Sequence, residues 1–213
     1  MEMYGPRSIG ETWQSVQELI SRLTGELELW ATSLPEGLNF LARGSVVAHP
    51  FRREQNTLDL LYHSTRILIT RPCLCKVDRQ NEDHIAQSFN FNQNAARTCV
   101  ESATSIARLL PDPSEHNGII LYQTGPWWKI VHFIVQSLTV LLLDVSYESA
   151  HLPKNIERVL PPLKKLVEWL RVLRANNGVA ARAYRVVMNL IKKLTSTLDL
   201  VGATIRFSYD LKV

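Results

Sequence analysis

The sequence predicts an all-α fold, a single helical domain of about six helices spanning residues 1–213. Three observations predict it. Apolar residues return at steps of three and four through six separate stretches, the period of a helix face rather than of a strand. Alternating β-branched runs are nearly absent; the tail ATIRFSYDLKV alternates, and reads equally as a short strand or as a terminal segment without a partner. Prolines and an Asn-Asn-Gly turn fall at the ends of most of these stretches. There is no fixed-period repeat and no low-complexity tract.

The first helix covers about residues 9–32, where Trp13, Val16, Leu19, Ile20, Leu23, Leu27 and Trp30 form one apolar stripe. Gly25 weakens it by up to ~1 kcal/mol relative to alanine. Pro35 and Gly37 end it, and residues 33–55 read as a loop. The second helix covers about residues 57–70. Leu58, Leu61, Tyr62, Thr65, Leu68 and Ile69 line one face, Leu60 and Ile67 widen it, and Asp59, His63, Arg66 and Thr70 make a narrow polar stripe. Pro72 is expected to push Arg71 out of the helical region and stop the helix.

Residues 76–91 lose periodicity and read as a loop. A third helix follows over about 93–110, with Ala96, Cys99, Val100, Ala103, Ile106, Ala107 and Leu110 on one close-packing face, bounded by Pro111 and Pro113. The fourth starts at Pro126, a favourable first helical residue, and runs to about Tyr147. It is apolar around almost its whole circumference apart from Lys129, His132, Gln136 and Thr139, which predicts the central helix. The fifth opens near Pro153, breaks or bends at Pro161-Pro162, and continues to Ala175 with Leu163, Leu166, Val167, Leu170 and Leu173 inside. After the turn Asn176-Asn177-Gly178, the sixth runs to about Leu200 through Ala183, Val187, Leu190, Leu194 and Leu198.

Composition excludes several classes. With 46% hydrophobic and 21% charged residues, the chain has the balance of a globular domain rather than of a disordered segment. The most apolar run, IVHFIVQSLTVLLLDV, is 16 residues long and contains His132, Gln136 and Asp144. A membrane span needs about 20 apolar residues to cross ~30 Å of hydrocarbon, so a buried helix is expected and no membrane partner. The start, MEMYGPRSIGETW, has no basic segment followed by an apolar stretch, which predicts an intracellular protein. The 3 cysteines suggest no framework of bridges and agree with a reducing compartment. The net charge of +4 is concentrated late: residues 151–200 hold ten Lys and Arg against Glu157, Glu168 and Asp199.

No residue pattern points to catalysis. Cys73 and Cys75, one residue apart, do not have the spacing of a zinc pair, and no second pair exists, so no metal site is predicted despite His63 and His84 nearby. His63 is expected to contact Asp59 one turn away. Cys99 lies on the alanine-rich face, where nothing positive would make it a nucleophile. Asp78, Glu82 and Asp83 share a loop, without the rigid spacing that acid–base or magnesium chemistry needs. No G-x-S-x-G, phosphate-cradling loop or H-E-x-x-H occurs. No catalytic residue, metal or cofactor is therefore assigned to this chain. The basic residues of the last two helices are interleaved with leucines, which favours a solvated face over a nucleic-acid surface. Trp127 and Trp128, with Tyr122, Phe133 and Tyr147, read as core with a ligand pocket as the alternative.

The order of motifs resembles the regulatory middle homology region of fungal zinc-cluster transcription factors. The stretch LDLLYHSTRILITRPCLC, residues 58–75, is similar to that family's apolar helix with Tyr-His, Ile-Leu and Arg-Pro-Cys-Leu-Cys. CVESATSIARLLPD resembles its Cys-x-x-Ala-Ala-x-x-Ile helix, with Ser102 at the first alanine. GPWWKIVHFIVQSLTVLLLDVSYE is similar to the long apolar helix that follows, and LKKLVEWLRVLRANNGVAARAYRVVMNLIKKL to the basic terminal pair. The resemblance covers roughly residues 10–200, and through it the two cysteines read as a family mark in the core.

The resemblance implies a helical regulatory domain of a nuclear protein that governs RNA polymerase II transcription by interaction. It implies transcriptional co-regulators, a small metabolite and a second copy of the chain as the partners to test. DNA would be reached only through a zinc module of six closely spaced cysteines, which these residues do not contain. The rival readings are a helical-bundle enzyme acting on an apolar substrate and a protein-interaction scaffold without a ligand.

Overall fold

The computed structural model describes residues 12–41, 51–75, 86–113, 121, 129–151 and 156–199. Among these the elements are α1 (Trp13–Thr32), a 3-10 turn (Glu36–Leu38), α2 (Arg52–Leu74), α3 (Ala86–Leu109), α4 (Ile130–His151), α5 (Ile156–Leu173) and α6 (Gly178–Asp199), and no strand. The fold is all-α, as predicted. Contacts divide the chain into two compact units, Met1–Ser102 and Ala103–Val213. The expected helix start at Pro126, the loop at 76–85 and the alternating tail lie outside the described residues.

In the first unit, Thr12 caps α1 by accepting a hydrogen bond from the Ser15 amide. Most of the predicted stripe turns inward: Trp13, Val16, Leu23 and Leu27 pack on a core formed by Ile20, Ile69, Cys73 and Ala95, whereas Trp30, expected on the same stripe, is exposed near the helix end. A second cluster joins Ala31, Phe40 and Tyr62, with Phe40 and Tyr62 rings 5.4 Å apart. The buried Gln55 amide donates to the Gly37 carbonyl at 3.2 Å, which fastens the 3-10 turn to α2.

Helix α2 departs from its expected form in two ways. It runs through Pro72 to Leu74, and starts at Arg52 rather than near Thr57. An interior proline costs roughly 3 kcal/mol. Cys73 and Leu74, buried beyond it, offset that cost, since a fully buried leucine alone contributes about 1.5–3 kcal/mol. Its faces also differ: Asp59 and Thr70 on the polar stripe are buried, whereas Leu58, Leu61 and Leu68 are only half-buried and Thr65 is exposed. Asp59 and Thr70 can be enclosed because each finds a partner one turn away, Asp59 in the His63 imidazole and Thr70 in the Arg66 carbonyl.

Helix α3 begins at Ala86, seven residues before the expected Gln93. Its first turns carry no apolar period because polar side chains hold them. The Gln17 Nε2 donates to the Ser88 carbonyl (3.1 Å), to Ser88 Oγ (2.9 Å) and to Asn92 Oδ1 (2.8 Å), and Trp13 Nε1 donates to the same Asn92 oxygen at 3.2 Å. The later face falls where it was expected, on Ala96, Cys99, Ala103, Ile106, Ala107 and Leu110, with Val100 of the expected set only half-buried.

In the second unit α4 is the most enclosed element. Ile130, Phe133, Ile134, Leu138, Leu141 and Val145 are all within 1% of full burial, while Lys129, His132 and Thr139 make the wet stripe and Gln136 is buried. No helix among the described residues is long and apolar enough to cross a membrane. Helix α5 packs on α4 and α6. It runs unbroken through Pro161 and Pro162, against expectation, with Val159, Leu163, Leu166, Val167, Trp169, Leu170 and Leu173 buried. Both prolines lie in its second turn, so only the carbonyls of the opening turn lose their partners, and the buried stripe beyond carries the helix. Asn177 caps α6, its Oδ1 accepting from the Val179 and Ala180 amides at 3.0 Å each. The inner face of α6 is Ala180, Tyr184, Val187 and Ile191; the expected Leu190 is exposed.

Candidate functional site

The polar stripe of α2 is the densest group of chemistry-bearing side chains described. Asp59 and His63 stand one turn apart, as predicted, with His63 Nε2 3.3 Å from Asp59 Oδ1. Thr70 donates its hydroxyl back to the Arg66 carbonyl at 2.7 Å. The Arg66 guanidinium lies 5.8 Å from the Tyr62 ring centroid, a cation–π distance. Burial pushes the Tyr62 phenol above its usual value, and the Arg66 charge opposes that in part. His63 Nδ1 and Arg66 Nε are buried without hydrogen-bond partners.

A His–carboxylate pair is the ingredient a general base shares with a structural ion pair, and geometry separates the two. A working base is hydrogen-bonded to the nucleophile it activates. Here Nε2 faces Asp59, and among the described residues Nδ1 has no hydrogen-bond partner. The pair binds α2 together across a turn.

The cysteines part company. Cys73 is fully buried beside Ile20 and Ile69, and Cys75, expected in the core with it, is exposed at the helix end. Burial first, and the neighbouring Cys99 second, push the Cys73 thiol up to about 12. A thiol kept protonated by burial is a weak nucleophile. Cys99 is buried too and its Sγ sits 3.9 Å from the Ile67 carbonyl, joining α3 to α2. Among the described residues no three His, Cys, Asp or Glu side chains converge to hold a metal. One buried thiol and one exposed thiol do not fit a zinc cluster either. His84, Asp78, Glu82 and Asp83 lie outside the described residues, as do Tyr122, Trp127, Trp128 and the Tyr147 side chain; Phe133 is core.

At the basic end, several cations are engaged. Lys165 Nζ is 3.0 Å from Asp112 Oδ1. Arg171 grips Glu168 through two contacts, one of them Nε to Oε2 at 2.8 Å. That grip holds the Glu168 carboxyl below the usual carboxylate range. Arg174 stacks over Tyr184 at 4.7 Å. Arg182 and Arg185 remain on the exposed side of α6.

Sequence reasoning missed one organising contact. Trp169 is fully buried, and its Nε1 donates to the Pro111 carbonyl at 2.9 Å, which ties α5 to the chain leaving α3. Its place one residue before Leu170 on the inner stripe was the available signal.

Over an alignment of 242 positions the chain is 27% identical to the transcription regulator galc of Aspergillus niger. The alignment covers 99% of this chain and 29% of that protein, so the chain spans less than a third of the relative's length. No family model matches, and no solved structure does. Over nearly its whole length, then, this helical chain is similar to a fungal transcription regulator.

Proposed function

We propose that this chain is a regulatory segment of a fungal transcription factor, acting in the nucleus on RNA polymerase II transcription by interaction rather than catalysis. In this reading it corresponds to the middle homology region, and DNA is read by a zinc cluster outside these residues. A co-regulator or a small metabolite biases the packing of the helices and so masks or releases neighbouring functional segments. The carrying observation is the likeness to a transcription regulator over 99% of the chain, combined with the 29% share of that regulator, which leaves most of its length for other tasks. The site geometry supports it: the polar stripe of α2 is bonded to itself, and the Cys73 thiol is held protonated.

The test is to tether the 213-residue chain to an unrelated DNA-binding domain upstream of a reporter in a filamentous fungus. A change in reporter output relative to the DNA-binding domain alone is expected, together with a thermal shift in a metabolite screen or a co-regulator recovered from nuclear extract. Output identical to the bare domain, with no shift and no recovered partner, would falsify the reading.

A further inference from the structure

Beside its buried side, α6 carries a second apolar line that faces solvent. Val179 is 61% exposed, Val186 58% and Leu190 46%. Steps of seven and four residues put the three on one stripe of a helix with roughly 3.6 residues per turn. Single exposed apolar residues are ordinary, whereas a line of them in register marks a contact surface. By the same periodicity Arg182 and Arg185 fall along the edge of the stripe away from the core. Among the described residues no carboxylate pairs with Arg182 or Arg185, in contrast with Arg171, which Glu168 holds.

We propose that this face docks an acidic amphipathic helix of a partner protein, a co-regulator in the sense above, on which reading the proposal rests. The partner's apolar residues pack along Val179, Val186 and Leu190, and its carboxylates meet the cationic edge. Charge selects this occupant. A second copy of the same face would set these cations against themselves, and like charges across an interface are strongly unfavourable. Residues 200–213 of this chain carry Arg206 and Lys212 against Asp210, so they bring no complementary charge. Nucleic acid would answer the cations but leave three apolar side chains against phosphates, which gain nothing from them. An acidic helix answers both halves of the surface.

The test uses the intact chain and a fluorescent peptide of about four turns, with leucine along one stripe and glutamate elsewhere. Controls are a scrambled peptide of the same composition and one with lysine in place of glutamate. Fluorescence anisotropy is expected to show salt-sensitive binding of the glutamate peptide only. The double variant Val186→Ser/Leu190→Ser should abolish it while circular dichroism stays unchanged. The double variant Arg182→Glu/Arg185→Glu should weaken it about tenfold or more and should bind the lysine peptide, an exchange that a misfolded chain cannot produce. Failure of the unaltered chain to bind the glutamate peptide, equal binding of the scramble, or indifference to these variants overturns the proposal. So does a dimer that Val186→Ser dissociates, or duplex DNA binding that needs the arginines but not the apolar line. The same variants in the tethered reporter separate the two ideas. Wild-type output that neither double variant alters leaves the regulatory reading standing and removes the docking surface.

Discussion

Replacing Trp169 tests whether the second unit is organised as described. The side chain is fully buried on the inner face of α5, and its indole donates to the Pro111 carbonyl at 2.9 Å. Trp169→Ala removes the packing and the bond together and leaves a cavity, for which about 3–5 kcal/mol is expected. Trp169→Phe keeps most of the ring burial and deletes the donor. Its cost should be the net value of one hydrogen bond, about 0.5–1.5 kcal/mol, plus a smaller packing loss of about 1 kcal/mol. At roughly 2–4 °C per kcal/mol for a chain of this length, the alanine variant should melt about 6–20 °C lower and the phenylalanine variant lower by about half that. Urea and thermal denaturation followed by helical circular dichroism read both. An alanine variant that loses under about 1 kcal/mol would mean that Trp169 is not buried as described, and a phenylalanine variant as damaged as the alanine one would mean that the hydrogen bond, not the packing, dominates.

Four further outcomes are expected. Gly25→Ala should stabilise the chain by about 0.5–1 kcal/mol, because the position is mid-helix and a Cβ there meets nothing within 4 Å; denaturant unfolding that shows a loss contradicts the description of α1. Asn177→Ala deletes the acceptor for the Val179 and Ala180 amides and should cost about 1 kcal/mol, which Asn177→Asp largely restores. Cys73 supplies a pH dependence: its folded thiol is raised to about 12 from a usual 9.0, so the unfolded chain loses the proton first. The stabilisation is complete below pH 9.0 and is lost as pH rises toward 12, and Cys73→Ala should flatten the melting-temperature slope across that window. In the native chain at neutral pH a thiol reagent should modify exposed Cys75 quickly and Cys73 and Cys99 only on unfolding.

Where one side of a helix is apolar and the other polar, the pattern alone located the core. Val16, Ile20, Leu23 and Leu27 of α1, and Leu163, Leu166, Val167 and Leu170 of α5, face inward as their spacing requires. Where a helix is apolar nearly all round, periodicity does not choose a side. On α2 the choice went to the face bearing Asp59 and Thr70, since each of those groups finds a partner one turn away and can be enclosed at little cost. Helix α6 shows the same ambiguity: its apolar arc is wide enough to bury Tyr184, Val187 and Ile191 and still leave Val186 and Leu190 in water. The opening turns of α3 were illegible because Gln17, Ser88 and Asn92 hold them by hydrogen bonds that have no period. In sequence Pro72 reads as a stop and Pro161-Pro162 as a break or bend, though a proline sets only a local cost that buried side chains beyond it offset. Of the candidate site, the Asp59–His63 contact was legible from a four-residue spacing, while the exposure of Cys75 depended on where α2 ends, which Pro72 had concealed.

The direction of the titration shifts bears on mechanism. A catalytic acid or base works best when its pKa lies near the operating pH, and active sites move groups toward neutrality by burial and by like charges. Here the groups that shift move the other way. The Cys73 thiol and the Tyr62 phenol are raised by burial and so stay protonated, and the Glu168 carboxyl, bonded to Arg171, is lowered and stays ionised. Each change deepens the resting charge state of its group at neutral pH. Such environments stabilise packed helices and hold their charge states fixed. None of the groups that shift is moved toward neutrality, which accords with the regulation by contact proposed above.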